Sequence, residues 1–376
     1  LAPLLFLCDG TRDLVGLRVG LELRTGLHLP PSRIEALLSQ LDDALFLEGP
    51  RFQEACAQAL RAYREAPFRS PALAGAGYPS DPQELRKALA SYGEDARSHG
   101  AAGDTPDALA GVVSPHIDYS RGGPVYATVW QRAAQAAREA ELVVVFGTDQ
   151  AGGPGQITLT RQSYATPWGV LPTVVPVVDA LADAMGPERA FAEELHHMRE
   201  HSIELAAVWL HYVREGQPCP LVPVLCGSFQ PYISGERVAE RDEALAGALL
   251  ALRQATAGRR VLVVAAGDLA HMGPTFGDSL PLDLAARAKL RAADRQLLDV
   301  IASGDAALFL ETLRQEGDRR RVCGLPPIYL ALRALGASRG EVTSYDQCPA
   351  DPEGASLVTV AGVLLYRGEG PGHGTR

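Results

Sequence analysis

The stretch LVVVFGTDQAGG, residues 142–153, decides how this chain folds. It opens with five apolar residues in a row, three of them valine. The run is too short for a helix and rich in β-branched side chains, so it predicts a strand. A strand with no polar alternation is buried on both faces, as happens in a sheet covered by helices on either side. The run then stops at Gly147, and polar residues follow at once: Thr148, Asp149 and Gln150. VLVVAAGDLAHMG, residues 261–273, has the same form, with Asp268 and His271 after its strand. Residues 111–114 lead likewise into Pro115-His116-Ile117-Asp118-Tyr119, and further runs occur at 221–225 and 357–366. Helix-length segments separate the runs, at 123–139, 200–214, 236–257, 283–302, 304–315 and 325–336. This alternation predicts an α/β fold with a mixed, mostly parallel central sheet flanked by helices. In such sheets the residues just past the strands collect in a crevice where ligands bind.

The 376 residues, 47% hydrophobic and 21% charged, suffice for one large α/β domain and a small one. Residues 1–66 carry apolar residues at helical spacing (Ile34, Leu37, Leu38, Leu41) behind Pro30-Pro31-Ser32, and Asp9, Thr11 and Asp13 are candidate N-caps. They predict either a winged-helix-like interaction module or a helical extension of the main domain. Residues 67–82 are rich in Pro and Gly and predict a junction, which with a polar loop at 93–108 fills 67–110. The main domain is expected over 111–368, with a disordered tail at 369–376.

A formal net charge of −10 argues against nucleic-acid binding, which needs a basic face to replace counterions. The one tight basic cluster, Arg319–Arg320–Arg321, reads as a solvated loop. Six cysteines at irregular spacing, with no CxxC, do not make a disulfide framework. The apolar start, Leu1 to Leu7, is too short to span a membrane and lacks the basic flank of a signal peptide. A cytoplasmic, reduced protein with no membrane contact is the expectation.

The chemistry-bearing residues gather in five places: 114–119, 147–153, 200–204, 267–273, and the helix start at Cys323-Gly324-Leu325-Pro326-Pro327. Gly147–Gly153 has no lysine after its glycines, which argues against a phosphate loop. His197-Met198-Arg199-Glu200-His201 matches the zinc pattern H-x-x-E-H, but it straddles an expected helix start, so its two histidines do not share a helix face. His28, His99, His211 and His373 read as exposed or hydrogen-bonded histidines. Cys323 alone reads as a buried thiol, although a helix N-terminus can also favour its thiolate.

Taken in order, these segments resemble the Memo family, system protein B of the AmmeMemoRadiSam set. Ala74-Gly75-Ala76-Gly77-Tyr78-Pro79 is similar to the family's AGxFYP, and Pro115–Tyr119 to PHAGY. Gly147–Gly152 is similar to GPxHxG, and Thr166-Pro167-Trp168-Gly169 to TPLG. Residues 200–204 read EHSIE, the most specific segment. Leu221-Val222-Pro223-Val224 resembles IIPVLVG, Gly267–His271 resembles SSDFxHYG, and Cys323-Gly324 with Pro327 resembles CGxxP. The resemblance runs over about residues 69 to 367.

It implies a fold like the class III extradiol dioxygenases, a non-haem iron family, and a pocket for iron or copper made by His116, Gln150 and Cys323. It places His201, His271 and Asp268 in the same pocket as candidate catalytic residues. Asp118, Tyr119, Asp149 and Glu204 are the candidate cofactor-binding residues. Gln150 stands where the family has a histidine, Asp118 where it has a glycine, and Arg199 where it usually has an acid. An amide is a poor ligand for iron or copper. Either Asp118 or Asp149 supplies a replacement carboxylate, or the metal is lost and the pocket takes a small molecule. The resemblance also implies two partners, a radical SAM enzyme and an AMMECR-type protein, with the N-terminal module as docking element. Three activities follow as alternatives: a metal-dependent oxidoreductase, a non-catalytic partner, and a hydrolase using His201 with metal-bound water or Cys323 as nucleophile.

Overall fold

The computed structural model describes residues 2–98 and 109–368. His99, His373 and the expected tail at 369–376 lie outside the described residues, as does most of the expected loop at 93–108. Its beginning is helical instead, because the helix Pro82–Ser98 runs on through it. The chain forms two compact units, Leu1–Glu65 and Ala66–Arg376.

The first unit holds the helices Ala2–Leu5, Leu14–Thr25, Pro31–Asp43 and Pro50–Glu65, and no strand among its described residues, so it lacks the hairpin wing of a winged helix. Of the expected caps, Asp13 acts: its carboxylate accepts from Gly16 N, one of the orphan donors of a helix start. Asp9 instead binds Thr11 and Arg12. Leu17 and Leu21 from one helix meet Ile34 and Leu41 from the next to form a small core with Leu4 and Leu7. The spacings of four and seven residues put each pair on one helix face.

The second unit is built on strands β1 (Leu109–Ser114), β2 (Leu142–Thr148), β3 (Ile157–Leu159), β4 (Tyr164–Thr166), β5 (Gly169–Leu171), β6 (Leu221–Cys226), β7 (Val261–Ala266), β8 (His271–Met272), β9 (Ser338–Pro349) and β10 (Leu357–Arg367). Their order in the main sheet is β3-β6-β2-β7-β1-β10-β8, with β9 also on β10 and β4-β5 a separate hairpin. The central four, β6, β2, β7 and β1, are parallel; β3, β10, β8 and β9 join antiparallel at the two sides. The sheet is therefore mixed, and its parallel heart is the set of uninterrupted apolar runs.

Side chains alternate across it. Val143 and Val145 face one layer with Trp130 and Trp209, from the helices Tyr119–Glu139 and Ser202–Val213. Val144 and Phe146 face the other, with Leu249 and Ile328, from the helices Glu243–Ala255 and Leu325–Leu335. The result is three layers, helix–sheet–helix. All four parallel strands end at one edge, and β1, β2 and β7 lead there into loops carrying His116, Asp149–Gln150 and Asp268. Among the described residues no helix is long and apolar enough to cross a membrane.

Arg320 departs from the solvated-loop expectation. It is buried, with its guanidinium on Asp294 (2.5 Å) and Glu316 (2.7 Å). Arg321 pairs with Asp278 at 2.7 Å. The basic run is thus partly an internal ion-pair anchor.

Candidate metal centre

At the carboxyl edge of the sheet, His116 Nε2 lies 3.3 Å from Cys323 Sγ, 3.6 Å from Asp268 Oδ2 and 3.4 Å from Gln150 Nε2. The donor atoms of His116, Asp268 and Cys323 all fall within 4.8 Å of one another. Three separated loops meet here because two glycines let them. A Cβ on Gly267 would stand 2.4 Å from Gly324 Cα, and one on Gly324 would stand 2.6 Å from the Asp268 carbonyl. Any side chain at either position would push the Asp268 and Cys323 loops apart.

Asp268 both holds and faces His116. Its Oδ1 accepts from the backbone N–H of His116 (2.8 Å) and Ile117 (3.3 Å), which leaves Oδ2 towards the imidazole. Burial raises its pKa, opposed by the nearby His271, its two backbone donors and His201. Burial drives the His116 pKa down to about 3, helped by His201 and opposed by Glu200, so its ring is neutral at physiological pH. Burial also lifts the Cys323 thiol well above its ordinary value, with Asp268 adding to the rise. A neutral imidazole and a protonated thiol beside a buried carboxyl are low-charge partners that a cation would convert to ligands, releasing protons.

His201 ends the approach to the helix Ser202–Val213, its ring centroid 5.4 Å from that of His116. Glu200 fixes this corner. Its Oε1 accepts from the N–H of His201 (2.7 Å) and Ser202 (3.0 Å), capping the helix, and its Oε2 accepts from Gln150 N (3.1 Å). His271 donates from Nδ1 to the carbonyls of Leu269 (3.2 Å) and Arg321 (3.1 Å).

The four expected cofactor-binding residues sit elsewhere. Asp118 caps the helix Tyr119–Glu139 and pairs with Arg121 at its rim. Tyr119 is buried against Tyr78, Tyr126 and Trp209, its hydroxyl donating to Leu205 O at 2.8 Å. Asp149 turns to His196, with 2.9 Å between its Oδ2 and His196 Nδ1. With Glu193 these form a second group of donors within 4.8 Å. Glu204 is fully buried and its oxygens are taken by Arg69, Tyr78 Oη (2.5 Å), Ala72 N (2.7 Å) and Leu73 N (2.9 Å). The carboxylate beside His116 and Cys323 is therefore Asp268, and neither Asp118 nor Asp149.

The sequence marks Glu200 as part of EHSIE but not as the residue that holds this corner, and it does not mark His196. Neither role leaves a signal: the glutamate of a capping box stands at the third helical residue, whereas Glu200 precedes the N-cap His201. The H-x-x-E-H pattern makes no site of its own: His197 accepts from Tyr164 Oη (2.7 Å) and donates to Thr158 O (3.0 Å), and burial holds its pKa at about 3. His211 is bonded on both nitrogens, to Thr166 and Gly216.

Residues 69–363 match the family model described as Memo-like protein. A MEMO1 family protein of Methanopyrus kandleri is 30% identical over 310 residues, covering 80% of this chain and 99% of that protein. One from Aquifex aeolicus is 24% identical over 375 residues, covering 96% and 90% respectively. A third, from Methanosarcina acetivorans, is 27% identical over 282 residues, covering 74% and 91%. With the α/β sheet and the ordered motifs along it, these matches establish that the chain belongs to the Memo-like protein family.

Proposed function

We propose that this protein binds a transition-metal ion through His116, Asp268 and Cys323 and serves a cytoplasmic redox reaction. The observation that carries the reading is the convergence of an imidazole, a carboxylate and a thiol within 4.8 Å, from loops far apart in sequence. The donor set fits iron or copper: one imidazole, one hard oxygen and one soft sulfur. Gln150 flanks His116 without adding a strong ligand, so the imidazole lost at that position is offset by the Asp268 carboxylate. Bound iron or copper would supply one-electron exchange with an oxidisable substrate.

The chain's own residues do the rest. Asp268 orients His116 through two backbone hydrogen bonds, and Glu200 positions His201. His201, its ring centroid 5.4 Å from that of His116, and His271 are the further imidazoles beside the site. All six cysteines are free thiols, which suits a reducing compartment.

The test is metal content of anaerobically purified protein by mass spectrometry. Near-stoichiometric iron or copper is expected in the wild type and loss of it in His116→Ala and Asp268→Ala. Unchanged metal in both variants would reject the assignment.

A second reading, a partner protein acting with a radical SAM enzyme and an AMMECR-type protein, is favoured by one observation. The helix Leu14–Thr25 buries Leu17 and Leu21 but leaves Val15, Val19 and Leu23 exposed, Leu23 at 82%. The exposed three recur every four residues and form one stripe. Val19→Glu with Leu23→Glu should abolish pull-down of such a partner; retained pull-down would reject this reading.

A further inference from the structure

At the other end of the parallel strands from the metal centre lies a cleft of about 410 Å³. It opens where β2 and β7 begin, beside the last turns of the helices Glu243–Ala255 and Leu325–Leu335. Its floor is apolar, with Leu252 and Leu335 prominent, and four arginines stand around it: Arg253, Arg259, Arg260 and Arg367.

Two of the four have evident work. Arg253 donates to the carbonyls of Arg333 and Ala334, satisfying orphan acceptors at a helix C-terminus. Arg260 donates to Glu139 O at 2.9 Å and pairs with Glu141 at 3.5 Å. The side chains of Arg259 and Arg367 make no hydrogen bond or ion pair among the described residues. In a chain with ten more acidic than basic side chains (45 against 35), two unpaired guanidiniums at one cleft, beside two more, are a local excess. A cleft lined by charges of one sign focuses its field and draws an anion in.

We propose that this cleft binds a small organic phosphate, with the phosphate between Arg259 and Arg367 and the organic body on Leu252 and Leu335. Guanidinium forks match phosphate oxygens in pairs, which a single lysine ammonium does not. The volume lies in the range of small-molecule sites, which combine an apolar wall with a few polar groups that set orientation. Lying at the opposite end of the sheet, the site is separate from the metal centre and does not depend on it.

Isothermal titration with AMP tests the proposal, beside inorganic phosphate, adenosine and a hexaglutamate peptide. The proteins are the wild type, the double variant Arg259→Gln/Arg367→Gln, and His116→Ala. One AMP per chain is expected, with Kd below about 1 mM. Adenosine, inorganic phosphate and the peptide should each bind at least about tenfold more weakly, a difference of ~1.4 kcal/mol. The double variant should lose AMP by a similar factor while keeping its circular dichroism and melting temperature, and His116→Ala should bind as the wild type does. No saturable AMP binding, equal binding by the double variant, or a tighter fit for hexaglutamate or inorganic phosphate would each overturn it.

Discussion

Gln150 is where one residue would decide how strongly the proposed site holds a metal. Its side-chain nitrogen already stands 3.4 Å from His116 Nε2, so an imidazole there would face the same point as the three donors. Gln150→His should raise metal affinity by on the order of tenfold or more, ~1.4 kcal/mol, measured by competition with a chelator. No gain would mean that Asp268 has already closed the coordination set. A second consequence at this scale concerns acid. His197 has a folded-state pKa of about 3 against an ordinary 6.5, because burial disfavours its charged form. Between those values the unfolded chain holds the extra proton, so the stability it contributes is full above about pH 6.5 and is lost as pH falls towards 3. The urea midpoint should drop from pH 7.5 to pH 5, and less steeply in His197→Gln; parallel slopes would assign the acid sensitivity to other groups. His116 and Cys323 entered as ligands through the family resemblance alone; by themselves they read as an ordinary loop histidine and a buried thiol. That Asp268, and neither Asp118 nor Asp149, is the carboxylate at His116 was not legible in the sequence. Which carboxylate turns inward is set by backbone donors such as His116 N–H, and residue order does not contain that.

Elements show the same division. The parallel strands were readable because burial on both faces leaves unbroken apolar runs. β9 was not: its sequence, SRGEVTSYDQCP, is polar and lies at the side of the sheet, and it is a strand because β10 offers a partner along its whole length. β3 and β8 are too short to leave a pattern. The helix carrying EHSIE is fastened to the junction segment by Glu204, whose partners Arg69, Ala72, Leu73 and Tyr78 all lie within ten residues of chain. Arg69 completes the tie through the carbonyls of His197 and Glu200, each at 2.8 Å. Removing one charge of a buried pair strands the other, at roughly 3–5 kcal/mol. Glu204→Gln should therefore lower thermal stability sharply while the folded fraction keeps its metal. Loss of metal at unchanged stability would return Glu204 to the pocket.

On the scale of the whole molecule, the two units have separate cores: the main clusters draw on no residue before Leu73, and the small one ends at Leu47. A chain beginning at Ala66 should fold, unfold in one cooperative step by urea, and retain metal at the wild-type ratio. Failure to express as a folded protein would show that the first unit is needed for the second. Helical spacing at 34–41 and the Pro- and Gly-rich stretch at 67–82 are the sequence features behind the expected small module, and helical spacing says nothing about a hairpin beside it.

The crossing of the Gly267 and Gly324 loops has a consequence in time. His116 and Cys323 are 207 residues apart, and the intervening strands β2, β6 and β7 must be aligned before the two meet. Closing so long a separation comes late, after local structure has formed. The chain emerging from the ribosome thus presents isolated histidines and thiols but no assembled site until Cys323 has been made. Metal loading would follow folding, and the rate at which refolding protein takes up metal would report the last step of its assembly.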